Sequence, residues 1–331
     1  MGWSGDISVF SKTATYMASV NNFLRRHALA MRETQSEQGR FPDVAPMGGG
    51  FGGTLWGSAG IVVPWETYQQ YGDIDLLKEH YPAMKKYLAF LQSKENELGI
   101  PLEGPLGDWL SPEGYKNDDT LLWMAYYIYD LDILQKTATL LRLPEEASVF
   151  ETQLQRKKAI FNRVYLAANA QSIRSGIQTR KMGVVDASLD TSAGTLMDTQ
   201  ASYAIPLNLG IVSDETGKQM ATHLVQAIQR ENKDELGVMR PPYSLMTGFI
   251  GTASINGALS RYGKDAVAYG LLTHRSYPSW LYPVVNGATT IWERLNSYTH
   301  ENGFGGNNSM NSFNHYSFGS VAGWMYEYSL G

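Results

Sequence analysis

Apolar side chains in this chain recur at spacings of three and four, segment after segment, and nowhere settle into the sustained alternation of a strand. Ile7, Phe10, Ala14, Met17 and Ala18 mark one stripe in a helix expected from Asp6 to about Gln35. Leu55–Tyr71 resumes the pattern, and Gly72-Asp73 closes it. Leu76, Leu77, Tyr81, Met84, Tyr87, Leu88 and Leu91 mark a second strong stripe in Ile74–Glu95, which Pro82 is expected to split. Asp118–Leu141 and Pro144–Tyr165 follow, and their short link makes them antiparallel neighbours. Ala193–Leu209, a helix capped and charged by Ser213-Asp214-Glu215, and Met246–Tyr262, Lys264–Thr273, Trp280–Val284 and His315–Tyr328 complete the series. Ala167–Thr191 carries no clear pattern, and Leu236–Ser244, with Pro241-Pro242, reads as loop. About eleven helical segments with long and short members in succession predict an all-α fold, an (α/α) toroid of inner helices wrapped by outer ones. An α-solenoid is the alternative, but no fixed repeat period is present.

At 331 residues, with 43% hydrophobic and 18% charged residues, the chain has the composition of a globular protein. The net charge of −5 and the lack of any long basic run argue against nucleic-acid binding. With no cysteine, disulfides and thiolate metal sites are excluded. The six histidines are scattered with no His-x-x-x-His pair, and no calcium-loop pattern is visible, so neither metal nor cofactor is expected. The apolar runs are too short for a membrane span, and Met1–Asp6 has no signal-peptide character, so a cytoplasmic location is the expectation. Nothing in the sequence speaks to oligomeric state.

The loops carry the chemistry. Gly39–Gly53 holds a glycine run ending in Gly50-Phe51-Gly52-Gly53, and the same tetrapeptide recurs at Gly303–Gly306. Both are read as loops at one mouth; no Gly-Lys-Ser/Thr follows to make a phosphate cradle. Leu102–Asn117 carries Gly107-Asp108-Trp109, and Thr289–Tyr316 carries Trp292-Glu293-Arg294 and His315. Carboxylates for proton transfer, aromatic rings for apolar sugar faces and Asn, Arg and His for hydroxyls are the parts of a carbohydrate site. The 20 Tyr, 8 Trp and 11 Phe fit that use, and equally fit a large helical core with aromatics at its rim. Read blandly, Trp292 is core, Glu293-Arg294 a solvated pair, and Asp6 a helix-start carboxylate.

Five short motifs, in this order, resemble the α-L-rhamnosidases of glycoside hydrolase family 78. They are Gly2-Trp3-Ser4-Gly5-Asp6, Trp56 with Val63-Pro64-Trp65, Gly107-Asp108-Trp109, Thr290-Ile291-Trp292-Glu293-Arg294, and Met310-Asn311-Ser312-Phe313-Asn314-His315-Tyr316. The resemblance implies an (α/α)6 barrel and an inverting hydrolase acting on terminal α-L-rhamnose, here as a single domain over residues 1–331. It implies that Glu293 is the general base, with Arg294 beside it favouring the ionised form. It implies that Trp3, Trp56 and Trp109 line the rhamnose pocket, and that Asp6 and His315 bond its hydroxyls or tune the site. Asp6 and Asp108 are the candidates to stand in as acid, and Asp108 and Arg294 also join the substrate-binding set.

The sequence departs from the family in two places. The family's acid is a Glu four residues before the tryptophan of the first motif, a position that falls before Met1, so the first barrel helix, the acid and the flanking β-rich domains are expected to lie outside this chain. Activity of the chain as it stands is then expected to be reduced or lost. Ser58 stands where many relatives carry Asp. Two other functions fit the same loops: a carbohydrate-binding barrel without turnover, and another (α/α) barrel enzyme such as an unsaturated-glucuronyl hydrolase. The second would want basic residues converging on a uronate, and the motif loops offer mainly Arg294.

Overall fold

A computed structural model describes residues 2–166, 179–180, 184–185, 197–304 and 310–330. Most of Ala167–Thr191, and the second half of the Gly303–Gly306 repeat, lie outside the described residues. The chain forms two compact units by contact. One comprises Met1–Gly107 and Asp118–Leu166; the other comprises Asp108–Asn117 and Leu196–Gly331.

The first unit is three helix pairs: α1 (Ser4–Met17) with α2 (Asn21–Glu33), α4 (Ala59–Tyr71) with α5 (Ile74–Ser93), and α6 (Asp119–Leu140) with α7 (Pro144–Tyr165). A four-residue turn, α3 (Thr54–Gly57), precedes α4. Residue type assigns the layers. In α6, 15 of 22 residues are buried, apolar on every side; in α2 only 4 of 13 are. A helix apolar all round must be surrounded, and an amphipathic one can face water. Accordingly α4 packs on both α1 and α6, with α2 and α5 behind α4 and α7 behind α6.

Local signals set most boundaries. Gly72, at φ 68°, ends α4 by donating to the Tyr68 carbonyl, and Asp73 caps α5 by accepting from Leu76 N at 3.0 Å. Two expectations change. The single helix expected from Asp6 to Gln35 is two, because Ala18 turns extended at φ −154°. The Tyr71 hydroxyl accepts from Val20 N and donates to the Ala18 carbonyl, filling the backbone bonds lost at that break. Conversely, α5 runs unbroken through Pro82; the flanking residues Tyr81, Met84, Tyr87 and Leu88 are buried, and their packing outweighs one lost helical bond.

The second unit repeats the layering with α8 (Gln200–Asn208), α9 (Asp214–Gln229), α10 (Phe249–Arg261) and α11 (Asp265–Thr273). Eight of nine α8 residues are buried against six of sixteen in α9. The inner pair α8 and α10 share the largest contact, backed by α9 and α11. Ser213 caps α9 by accepting from Thr216 N, as its sequence predicts. Short α12 (Leu281–Val285) and a closing segment complete the unit. That segment begins as a 3-10 turn at Ser317–Ser320, continues as α13 (Val321–Trp324) and ends as a π turn at Met325–Ser329.

Strands are minimal. β1 (Thr179–Arg180) pairs antiparallel with β2 (Val184–Val185). β3 (Asn232–Lys233) and β4 (Met239–Arg240) form a small hairpin with Asn232 opposite Arg240; β4 falls within Leu236–Ser244, which the sequence reads as loop. Among the described residues no helix is long and apolar enough to cross a membrane.

Close approach of glycine to an indole positions the first motif. A Cβ at Gly5 would stand 2.5 Å from Cε2 of Trp56, and one at Gly52 2.3 Å from its Cγ. Both glycines are therefore needed for the Trp56 ring to sit where it does. Gly5→Ala is expected to destabilise the chain by about 1–3 kcal/mol, as overpacked core substitutions do. Urea unfolding followed by tryptophan fluorescence checks this; an unchanged midpoint would show that the ring moves aside freely.

Candidate functional site

Two segments of the second unit, 290–293 and 312–315, run in opposite directions and clip together. His315 N donates to the Ile291 carbonyl at 2.8 Å, and Glu293 N to the Ser312 carbonyl at 2.8 Å. The Thr290 hydroxyl donates to the Phe313 carbonyl. The clip places the Glu293 carboxylate, half-buried, where its Oε2 accepts from Ser312 N at 2.8 Å. A charged acceptor on a backbone N–H is held in place without being neutralised by a cation. Arg294 turns elsewhere: its Nε donates to the Met310 carbonyl at 3.0 Å, so it buttresses the clip. Trp292 is buried, 5.4 Å edge-on from Phe313, as the bland reading of that ring has it.

His315 is buried, its ring 5.2 Å from that of Phe249 at the start of α10. Ser317 N donates to its Nδ1, which leaves Nε2 to carry the proton of the neutral ring. Phe249 links this region to the third motif, because its backbone N donates to the Trp109 carbonyl at 2.9 Å.

Asp108 sits at that junction. Its Oδ2 accepts from Gly248 N at 2.7 Å and its Oδ1 from Gly251 N at 2.8 Å. These are N–H groups at the start of α10, so Asp108 caps a helix 140 residues away in sequence. Both oxygens are engaged and the residue is 7% exposed. The expected sugar contact thus gives way to anchorage of the loop that carries half-buried Trp109. Burial pushes the Asp108 carboxyl up to about 6, against the pull of the N–H groups of Gly251, Gly248 and Ile250.

The remaining expected residues, Trp3, Asp6 and Trp56, belong to the first unit. Trp3 is the N-cap residue of α1, half-buried, 5.6 Å edge-on from Phe51 and held by a bridge to Val44. Asp6 is buried in the first turn of α1, where free N–H groups favour a carboxylate. Trp56 is 2% exposed under Gly5 and Gly52, so it offers a ligand almost no surface. Ser58, at the position that departs from the family, is also buried and donates to Asp130 Oδ2 at 2.6 Å. Asp130 is fully enclosed, and burial pushes its carboxyl well above the usual range. A second acid at position 58 would have to share a proton with it.

Glu113 is a residue that no motif singles out. It lies in the Trp109 loop, 6% exposed, with Oε1 buried and unpartnered. Lys116 Nζ stands 3.9 Å from its Oε2. Burial, with Asp108 adding repulsion against the attraction of Lys116, pushes its carboxyl up to about 7. A glutamate after Pro112 in a polar loop reads as solvated, and no spacing rule marks it as buried. Among the described residues no group of three or more His, Asp or Glu is placed to hold a metal.

The profile of the bacterial alpha-L-rhamnosidase 6 hairpin glycosidase domain matches residues 1–329. An alpha-L-rhamnosidase of Streptomyces avermitilis is 35% identical over 98% of this chain and 28% of its own length. One of Formosa agariphila is 32% identical over 99% of this chain and 32% of its own. The chain therefore spans about a third of the length of these curated relatives. The crystal structure of the Streptomyces avermitilis enzyme complexed with L-rhamnose superimposes with a TM-score of 0.80, covering 98% of this chain and 28% of that one. The expected all-α, (α/α)6 class is the fold these comparisons show.

Proposed function

The chain belongs to the bacterial α-L-rhamnosidase six-hairpin glycosidase family, and from that premise we propose that it serves as the catalytic domain of an enzyme that hydrolyses terminal α-L-rhamnose from glycosides or polysaccharides. The observation that carries the proposal is the clip: a half-buried carboxylate, Glu293, oriented by Ser312 N and flanked by His315 on the facing segment. Glu293 is read as the general base that takes a proton from the attacking water. Water then adds to the anomeric carbon as the glycosidic bond breaks on the opposite face, so configuration inverts. That reaction needs a second, protonated carboxyl about 6.5–9.5 Å from the first. The family resemblance gives that role to a glutamate preceding the Gly-Trp-Ser-Gly-Asp motif, and Asp108, both of whose oxygens hold backbone, is a poor substitute.

Trp109 supplies a partly exposed ring to the same loop cluster, and rhamnose, with its C6 methyl, has an apolar face to lay on it. Trp3 and Asp6 are retained as proposed contributors on the strength of the motif they share. The neutral sugar accords with the clip, where Arg294 is engaged with Met310 rather than poised for a uronate.

Titration with L-rhamnose, followed by tryptophan fluorescence or calorimetry with D-glucuronate as control, tests the reading. Saturable rhamnose binding that Trp109→Ala weakens by about two- to tenfold is expected, since lost ring stacking is typically worth about 0.5–1.5 kcal/mol. Equal binding of glucuronate would instead favour a uronate-handling barrel enzyme.

A further inference from the structure

Ser297 lies four residues after Glu293 and is fully buried, and its hydroxyl serves two segments at once. Within its own turn, Ser297 N donates to the Arg294 carbonyl at 3.0 Å, and Ser297 Oγ accepts from Arg294 N at 3.3 Å. Across the clip, the same hydroxyl donates to Asn311 Oδ1 at 2.6 Å. We infer that Ser297 and Asn311 are positioning residues, a latch that orients the Glu293 carboxylate through the peptide plane joining Asn311 to Ser312. The inference rests on the proposed function, since it takes Glu293 to be the base.

Glu293 Oε2 accepts from Ser312 N at 2.8 Å. That N–H has no rotation of its own. It lies in the rigid plane of the peptide that starts at Asn311, so it points wherever the Asn311 backbone sends it. The Asn311 side chain branches from the same Cα, and Ser297 holds its far end. The residue before is held as well, because Arg294 Nε donates to the Met310 carbonyl at 3.0 Å. Residues 294–297 thus grip 310 and 311, while Thr290 and Ile291 grip 313 and 315. Ser312 stands between the two grips.

Other ties leave this plane free. Glu293 N donates to the Ser312 carbonyl, but that carbonyl belongs to the following peptide plane. Met310, Phe313 and Asn314 are exposed, and Phe313 packs only edge-on against Trp292, so little buried apolar surface fixes the segment. Polar contacts therefore decide where the Ser312 N–H aims. A general base works within hydrogen-bond reach of the proton it takes, and a displacement of about 1 Å can cost roughly 10²-fold in rate.

Kinetics on para-nitrophenyl α-L-rhamnoside test the latch, since nitrophenolate departs without a proton and turnover then does not depend on an acid. Ser297→Ala and Asn311→Ala are each expected to lower kcat by about tenfold with KM unchanged, as loss of a contact that matters in the transition state does. The two residues share one contact, so the double variant should lose no more than the worse single one; independent losses would multiply to about a hundredfold. Amide exchange followed by NMR supplies a readout that needs no turnover. Exchange at Ser312 N should quicken about tenfold in each variant, while His315 N, bonded to the Ile291 carbonyl, keeps its rate.

Unchanged kcat, a loss confined to KM, a multiplicative double variant, or a fall in kcat without faster exchange at Ser312 would overturn the latch. Equal quickening at Ser312 and His315 would also overturn it, as general loosening of the clip. If Glu293→Gln does not slow the parent, or the parent has no turnover, the proposed function fails instead. Exchange alone then decides whether Ser297 and Asn311 hold the carboxylate: quickening confined to Ser312 upholds the latch, and an unchanged rate removes it.

Discussion

Glu293→Gln is expected to lower kcat for an α-L-rhamnoside by about 10²–10⁴-fold, the usual loss when a positioned general base is removed. The amide cannot take a proton from water, but its oxygen can still accept from Ser312 N, as Glu293 Oε2 does at 2.8 Å. The clip between segments 290–293 and 312–315 is therefore preserved, and both the thermal midpoint and the affinity for L-rhamnose should stay close to those of the parent. That split between turnover and binding separates a base from a structural anchor, which would shift all three. Glu293→Ala supplies a second arm: azide in place of the missing base and water should yield a rhamnosyl azide of inverted configuration, forming a carbon–nitrogen bond as the glycosidic bond breaks. Turnover by Glu293→Gln near the parent rate would refute the assignment.

Stability should fall as pH rises through neutrality, with Glu113 contributing alongside the fully enclosed Asp130, whose carboxyl burial also pushes up. The Glu113 carboxyl is pushed up to about 7 in the folded chain, chiefly by burial, from an ordinary value of 4.5. Between those two values the unfolded chain has released a proton that the folded chain keeps, so unfolding is favoured as pH increases. Below about pH 4 both states are protonated and there is no penalty; above about pH 7 the penalty is complete. Asp108, pushed up to about 6, adds a smaller contribution of the same sign that ends sooner. Glu113→Gln removes the larger one. At pH 8 the variant should exceed the parent by up to about 3 kcal/mol, at 1.36 kcal/mol per unit, and at pH 4 the two should coincide. Urea unfolding at four or five pH values checks this, and parallel profiles would sink the idea. The penalty is tolerated inside the loop that carries Trp109, which fits the tendency of functional loops to hold strained or unpaired groups.

Much of the scaffold could be read from residues alone. The three- and four-residue spacing found the inner and outer helices, and Ser213 and Asp73 behave as caps should. What escaped was decided at long range. Pro82 is a breaker by local rule, and buried neighbours override it. Ala18 carries no breaking signal, and its break is filled by a hydroxyl from Tyr71, 53 residues away. In the candidate site, Glu293 and His315 were legible because their motifs lie on one contiguous stretch that folds upon itself. Asp108 was legible as important but not in its role, because the N–H groups it binds lie 140 residues on. Trp56 could not be seen to be buried, since that depends on Gly5 and Gly52 pressing upon its indole.

The staple from Asp108 to α10 bears on how genes of this family can be recombined. The cap and its helix are separated by more than a hundred codons, so any crossover falling between them takes the carboxylate from one parent and Gly248–Gly251 from the other. Such a chimera stays intact only where both parents carry an acid at the first position and a chain path short enough to meet it at the second. Breakpoints just before codon 108 or beyond codon 251 keep the pair together and are the places where blocks of sequence can be exchanged.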